Sequence, residues 1–105
     1  MHSALRPDDA LAAELRAGNE AVLGELYARY AGDIYSVALR YLRSIADAED
    51  LLQDVFVGLP EAVQRYEPRG AFGPWLRRVA VRTAQMRLRA HRIRREESID
   101  AAAQA

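Results

Sequence analysis

Two residue types are missing altogether: the 105-residue chain has no cysteine and no lysine. Without cysteine there are no disulfides and no thiolate-ligated metal, and a reducing cytoplasm is the natural setting. Histidine occurs only at His2 and His91, too far apart in sequence to propose a histidine metal cluster. No run approaches the roughly 20 apolar residues of a membrane span, so no membrane association is expected. Met1 to Arg6 lacks the apolar core of a secretion signal. No segment alternates in the manner of a half-buried strand, and no internal repeat is present. The missing lysine makes every basic side chain an arginine. Arginine forks onto phosphate and stacks on bases, while GC-rich coding inflates arginine too, and composition leaves both causes open.

Half of the residues are apolar, enough for one compact domain with a core of its own. The formal net charge of zero conceals a polarity along the chain. Residues 1–60 hold five arginines against ten acids, and residues 61–105 hold ten arginines against five acids. Within 76–95 there are eight arginines and no acid. Such a chain can turn one surface to a basic partner and another to a polyanion.

The pattern is helical almost throughout and predicts an all-α, compact bundle of about four helices. Pro7, Asp8 and Asp9 suit the start of a short helix to about Ala17, the acids facing the positive end of its dipole. Gly18 ends that helix and Asn19 can cap the next. Leu23, Leu26, Tyr27, Tyr30, Ile34, Val37, Ala38, Tyr41 and Leu42 recur at three- and four-residue steps and predict a long second helix. Ser44 to Asp47 is a break, with Asp47 as the expected cap of a third helix reaching about Arg65. Ala48, Leu51, Leu52, Val55, Phe56 and Leu59 face inward on it. Pro60 predicts a kink or an end near Leu59. Glu67-Pro68-Arg69-Gly70 is the strongest turn signal. Pro74 then opens a fourth helix to about Arg94, with Phe72, Trp75, Leu76, Val79, Ala80, Thr83 and Met86 buried and Arg78, Arg82, Gln85 and Arg89 outward. Beyond Glu96 the sequence reads as a frayed tail.

Two constellations stand out. The arginine helix behind a turn can neutralise several phosphates, with binding that weakens steeply as salt rises; its plain alternative is a solvated helix face. The stripe Asp47, Glu49, Asp50, Gln53 and Asp54 raises acid–base chemistry and metal binding. No histidine, nucleophile or phosphate loop accompanies it, and its carboxylates lie along a convex surface instead of around a cage. No convergent catalytic set is present, so no enzyme and no cofactor is expected. Dipole complementarity accounts for Asp47 and Glu49, whereas Asp50, Gln53 and Asp54 continue past the first turn and better fit docking to a basic partner. Tyr27, Tyr30, Tyr41, Phe56, Phe72 and Trp75 lie on apolar stripes and read as core, whereas Tyr66 flanks the turn. Beside the basic helix, Tyr66 can stack a base together with Arg69 or close the core under the loop; the sequence favours neither.

Asp47-Ala48-Glu49-Asp50-Leu51-Leu52-Gln53-Asp54-Val55-Phe56 resembles the second conserved region of extracytoplasmic-function (ECF) sigma factors. Arg65-Tyr66, followed by Arg69-Gly70-Ala71-Phe72-Gly73-Pro74-Trp75-Leu76-Arg77-Arg78-Val79-Ala80, resembles the segment after it. The resemblance covers about residues 8–97. It implies a region 2-like helical bundle in which Asp47, Asp50, Gln53 and Asp54 dock on the clamp helices of the largest subunit of core RNA polymerase. It further implies that the Arg65–Gly73 loop, with Arg65, Tyr66, Arg69 and Gly70, holds one base of the non-template strand of the minus-ten promoter element. By the same resemblance, Arg77, Arg78 and Arg82, with Arg89 farther along, are expected to contact the adjoining strand. An anti-sigma factor is a further expected partner.

The family pattern has Asn near Arg82, Asp near Met86 and often an aromatic at Pro60, so its base preference does not transfer to this chain. Residues 1–95 are expected to form the region 2 domain and 96–105 the start of an interdomain linker or a disordered tail. The family's C-terminal helix-turn-helix has no counterpart in the sequence. The competing reading is a helical protein-interaction module bound by an anti-sigma-like regulator, without direct DNA reading.

Overall fold

Pro7 fixes the chain just ahead of the first helix, its carbonyl accepting from the N–H groups of Ala10 at 3.0 Å and Leu11 at 3.3 Å. This helix, α1 (Asp8–Arg16), buries Leu11, Ala12 and Leu15. The computed structural model describes residues 6–104; His2, most of the Met1–Arg6 stretch weighed as a secretion signal, and Ala105 lie outside the described residues. Gly18, at φ 103°, stops α1 in a left-handed turn. There Gly18 N–H donates to Leu15 O at 3.0 Å and Asn19 N–H to Glu14 O at 2.9 Å. The Asn19 side chain then accepts from Ala21 N–H at 3.2 Å, opening a 3-10 turn (Glu20–Val22) that runs into α2 (Leu23–Leu42).

The connection from α2 to α3 (Ile45–Val57) is abrupt. Arg43 takes a left-handed conformation, φ 56° and ψ 31°, uncommon for a residue with a side chain. Ser44 follows in extended geometry, and its hydroxyl accepts from Asp47 N–H at 3.2 Å. Ser44 is therefore the cap, not Asp47, because the left-handed Arg43 presents the Ser44 oxygen to the third N–H of the helix. Asp47 sits in the first turn, where its charge complements the dipole.

Pro60 has no N–H and would crowd the Phe56 carbonyl if α3 continued. The helix closes at Gly58 and restarts as a single turn, α4 (Leu59–Ala62), with Pro60 in its first turn. A 3-10 turn (Val63–Arg65) leads to extended Tyr66 and a loop through Gly70, at φ 71°. The last helix, α5, spans Phe72–Gln104. The described residues thus form five α-helices and no strand. The extra helix relative to the sequence expectation is the turn cut off by Pro60.

α2 lies at the centre, packed on both α3 and α5. Leu26, Ile34, Leu51, Leu59, Val63, Phe72 and Leu76 are fully buried with α1's Leu11 and Leu15. On α5 the buried line runs Phe72, Leu76, Ala80, Ala84. Met86, expected in that line, is 60% exposed. Steps of four outrun the 3.6-residue turn, so the contact line drifts around the helix to Ala84 and away from Met86, while Arg87 falls back within the buried sector. The small Ala80 and Ala84 let α5 approach its neighbours closely.

α5 also continues past Arg94, where the sequence reading ended it, to Gln104. No glycine or proline follows Pro74, and alanine, the best helix former, fills 101–103. Residues 91–104 are exposed, and the protruding helix gives the molecule extents of 66 × 24 × 22 Å. Among the described residues no helix is long and apolar enough to cross a membrane.

Candidate functional site

The acids of α3 divide into two rows. Asp50 and Asp54 stand one turn apart on the side nearest α5. Glu49 and Gln53 look toward α2, where with Asp50, Tyr27, Tyr35, Ala46 and Leu52 they line a shallow depression of about 560 Å³, so Asp50 borders both sides. Asp47 is half-buried at the start of the helix. Exposed Ile45 and Val57 bracket the charged face at its two ends.

The first row has an internal partner that sequence reasoning missed. Arg87 of α5 donates to Asp50 Oδ2 at 2.9 Å and also to Asp54. Its side chain is 25% exposed, whereas Asp50 and Asp54 remain 70% and 55% exposed. The pair thus keeps acceptor positions open to an outside donor while Arg87 holds both carboxylates in place. The signal was available: Arg87 stands three residues after Ala84, on the inward line of α5.

The loop behind α4 is built around Tyr66. Its ring packs against Phe72, with centroids 5.3 Å apart, and against Trp75 at 5.1 Å. At 3% exposure Tyr66 belongs to the core. It is the floor of the loop, and of the two roles left open for it, closing the core is the one observed. Its hydroxyl donates to Asp9 of α1. The other Asp9 oxygen accepts from Gly70 N–H at 2.7 Å. Arg16 adds a second tie from α1, donating to Val63 O at 3.1 Å and to Tyr66 O.

Asp8, the neighbouring acid, reaches the opposite way. It accepts from Arg29 at 2.8 Å and from the Tyr30 hydroxyl. Burial first, and then the bond to Asp8, push the Tyr30 hydroxyl pKa up to about 12. The same two causes, in the same order with Asp9 as acceptor, raise that of Tyr66.

Above this floor lies a cavity of about 230 Å³ lined by Arg65, Tyr66, Glu67, Arg69, Trp75 and Arg78, together with Ala71. Three cations from three elements (Arg65 before the loop, Arg69 on it and Arg78 on α5) meet at one aromatic-floored opening. Arg69 pairs with Glu67 on the loop itself. Along α5, Arg78, Arg82, Gln85 and Arg89 are exposed. Arg77 pairs with Asp33 of α2 at 2.6 Å while its side chain stays 42% exposed. A shallow surface between Pro74 and Gln85, floored by Val81, joins Arg77 and Arg78 to Arg82. Arg89 stands about 10 Å farther along the helix axis.

These surfaces fall within one stretch that matches a known family: the model for sigma-70 region 2 matches residues 26–94, from α2 to most of α5. The chain belongs to the sigma-70 region 2 family. This region 2 domain is of the ECF type. It is 38% identical over 77 residues to RNA polymerase sigma factor CarQ of Myxococcus xanthus, covering 73% of this chain and 44% of that protein. It is 30% identical over 93 residues to RNA polymerase sigma factor CnrH of Cupriavidus metallidurans, covering 86% of the chain and 49% of the relative. It is 32% identical over 78 residues to the ECF RNA polymerase sigma-E factor of Escherichia coli, covering 74% and 40%. The chain therefore spans less than half the length of these relatives. No solved structure gives a significant match.

Proposed function

We propose that this region 2 domain acts in transcription initiation, docking on core RNA polymerase and recognising and opening the minus-ten element of promoter DNA. Asp47, Asp50, Gln53 and Asp54 meet basic residues of the polymerase clamp helices. The cavity over Tyr66 receives one unstacked non-template base, with Arg65 and Arg69 at its rim and Gly70 shaping the turn. Arg78, Arg82 and Arg89 follow the strand along α5. Arg77 joins them by exchanging Asp33 for a phosphate.

The observation that carries this reading is the convergence of Arg65, Arg69 and Arg78 on a cavity with an aromatic floor, held on the same rigid core as the acidic face of α3. A base taken out of its stack needs an aromatic or guanidinium plane and nearby cations. The domain so described is a binding module in the cytoplasm, not an enzyme. Residues 1–95 constitute the working unit. An anti-sigma regulator covers the α3 face, where exposed Ile45 and Val57 supply apolar contacts beside the acids.

The test is a salt series on binding of short minus-ten non-template strands by the domain assembled with core polymerase. The affinity should fall steeply with salt, at about 0.7 in log–log slope per phosphate engaged. Replacing Arg78 or Arg82 with Ala should each reduce the slope by nearly that amount. A slope near zero, unchanged by these substitutions, refutes strand contact by α5.

A further inference from the structure

We propose that Asp9 is a positioning residue for the base-holding loop: a single carboxylate on α1 pins both shoulders of that loop and so fixes the shape of the cavity. Its two oxygens are divided between Tyr66, 57 residues away, and Gly70, 61 residues away. Glu67, Pro68 and Arg69 span the interval between these ties, so the segment carrying Arg69 is closed onto the bundle at each end.

The carboxylate is itself anchored. Asp8 binds Arg29 and Tyr30 of α2, and Arg16, at the far end of α1, binds the carbonyls of Val63 and Tyr66. α1 therefore acts as a bracket between the central helix and the loop. Gly70 makes the arrangement possible, because its left-handed backbone, φ 71°, turns its N–H toward Asp9 without the steric cost a side chain would meet there. Complementing the α1 dipole, the role expected of Asp8 and Asp9 from their position, accounts for neither long-range contact. Asp9 also lies outside residues 26–94, the segment matched by the region 2 family.

This inference rests on the reading of the cavity as a base pocket, so its test has two arms. In the first, the domain with core polymerase is titrated with minus-ten non-template strands carrying an abasic site at each position in turn. The unsubstituted domain should lose about tenfold in affinity at one position, as removal of one stacked base implies. In D9N, and more completely in D9A, that penalty should shrink to about twofold or less, with the salt slope unchanged. Glu14→Ala, which removes other α1 contacts, should keep the full penalty.

The second arm needs no DNA. Amide exchange at Gly70 should accelerate at least tenfold in D9N, where an amide nitrogen or a weaker acceptor replaces the carboxylate oxygen, while the Leu26 and Leu51 amides stay protected. A full abasic penalty in folded D9N, or unchanged exchange at Gly70, overturns the proposal. If no abasic position matters in the unsubstituted domain, the base-pocket reading fails, and the exchange arm alone decides whether Asp9 holds the loop.

Discussion

Arg87 on α5 and Asp50 on α3 lie 2.9 Å apart, and the same guanidinium reaches Asp54 one turn on. The helix proposed to follow DNA is thereby tied to the face proposed to meet polymerase. The tie is only partly shielded from water, so it contributes little to stability, about 0–1 kcal/mol. Its larger effect is on the charge presented to a partner: two carboxylates with one arginine between them offer a net single negative charge.

Neutralising that arginine should therefore strengthen docking. In Arg87→Gln, binding to a basic clamp fragment is expected to tighten by about 1 kcal/mol at low salt, close to fivefold. The gain should vanish as salt rises. Titration calorimetry at two ionic strengths checks this, and weaker binding at low salt would show that Arg87 orients the acids more than it offsets them.

The register of α5 can be tested by stability alone. Ala84 is fully buried and Met86 is 60% exposed. Ala84→Leu should cost about 1–3 kcal/mol through overpacking, and Met86→Gln should stay within about 0.5 kcal/mol of the unsubstituted domain. Urea unfolding measures both, and the reverse order would place α5 in the register expected from sequence.

Alkaline pH supplies a third test. The Tyr30 hydroxyl keeps its proton to about 12 in the folded domain, against 10.0 ordinarily. Above pH 10 the unfolded chain releases a proton that the folded one retains, so stability falls as pH rises through this window. Tyr66 acts in the same direction. Tyr30→Phe should make the decline between pH 10 and 12 shallower, as followed by circular dichroism during alkaline titration. An unaltered decline would remove Asp8–Tyr30 as a coupled pair.

Much of this architecture was legible in the sequence because local rules decide it. The α2 stripe, the inward face of α3, the break forced by Pro60 and the turn at Gly70 follow from periodicity and backbone restriction. What escaped depends on partners distant in the chain. Whether Tyr66 stacks on a base or closes the core cannot be chosen without knowing that Asp9 and Trp75 meet it. Arg87 sits within an arginine run, and only the packing of α5 on α3 separates it from its outward neighbours. Ser44 displaced Asp47 as the cap because Arg43 adopts a left-handed turn that its residue type does not announce. The length of α5 was underestimated because the sequence after Arg94 loses its buried stripe without containing a helix stop.

The central claim is that the acidic face of α3 docks on core polymerase, and its most direct test is binding of the domain to the isolated clamp helices of the largest polymerase subunit. The account predicts a saturable complex. Asp50→Arg and Asp54→Arg should each weaken it by about 1–3 kcal/mol, the range for charged hydrogen bonds, and circular dichroism should show the variants still folded. No complex where an established sigma region 2 binds, or full affinity in the doubly reversed domain, would contradict it.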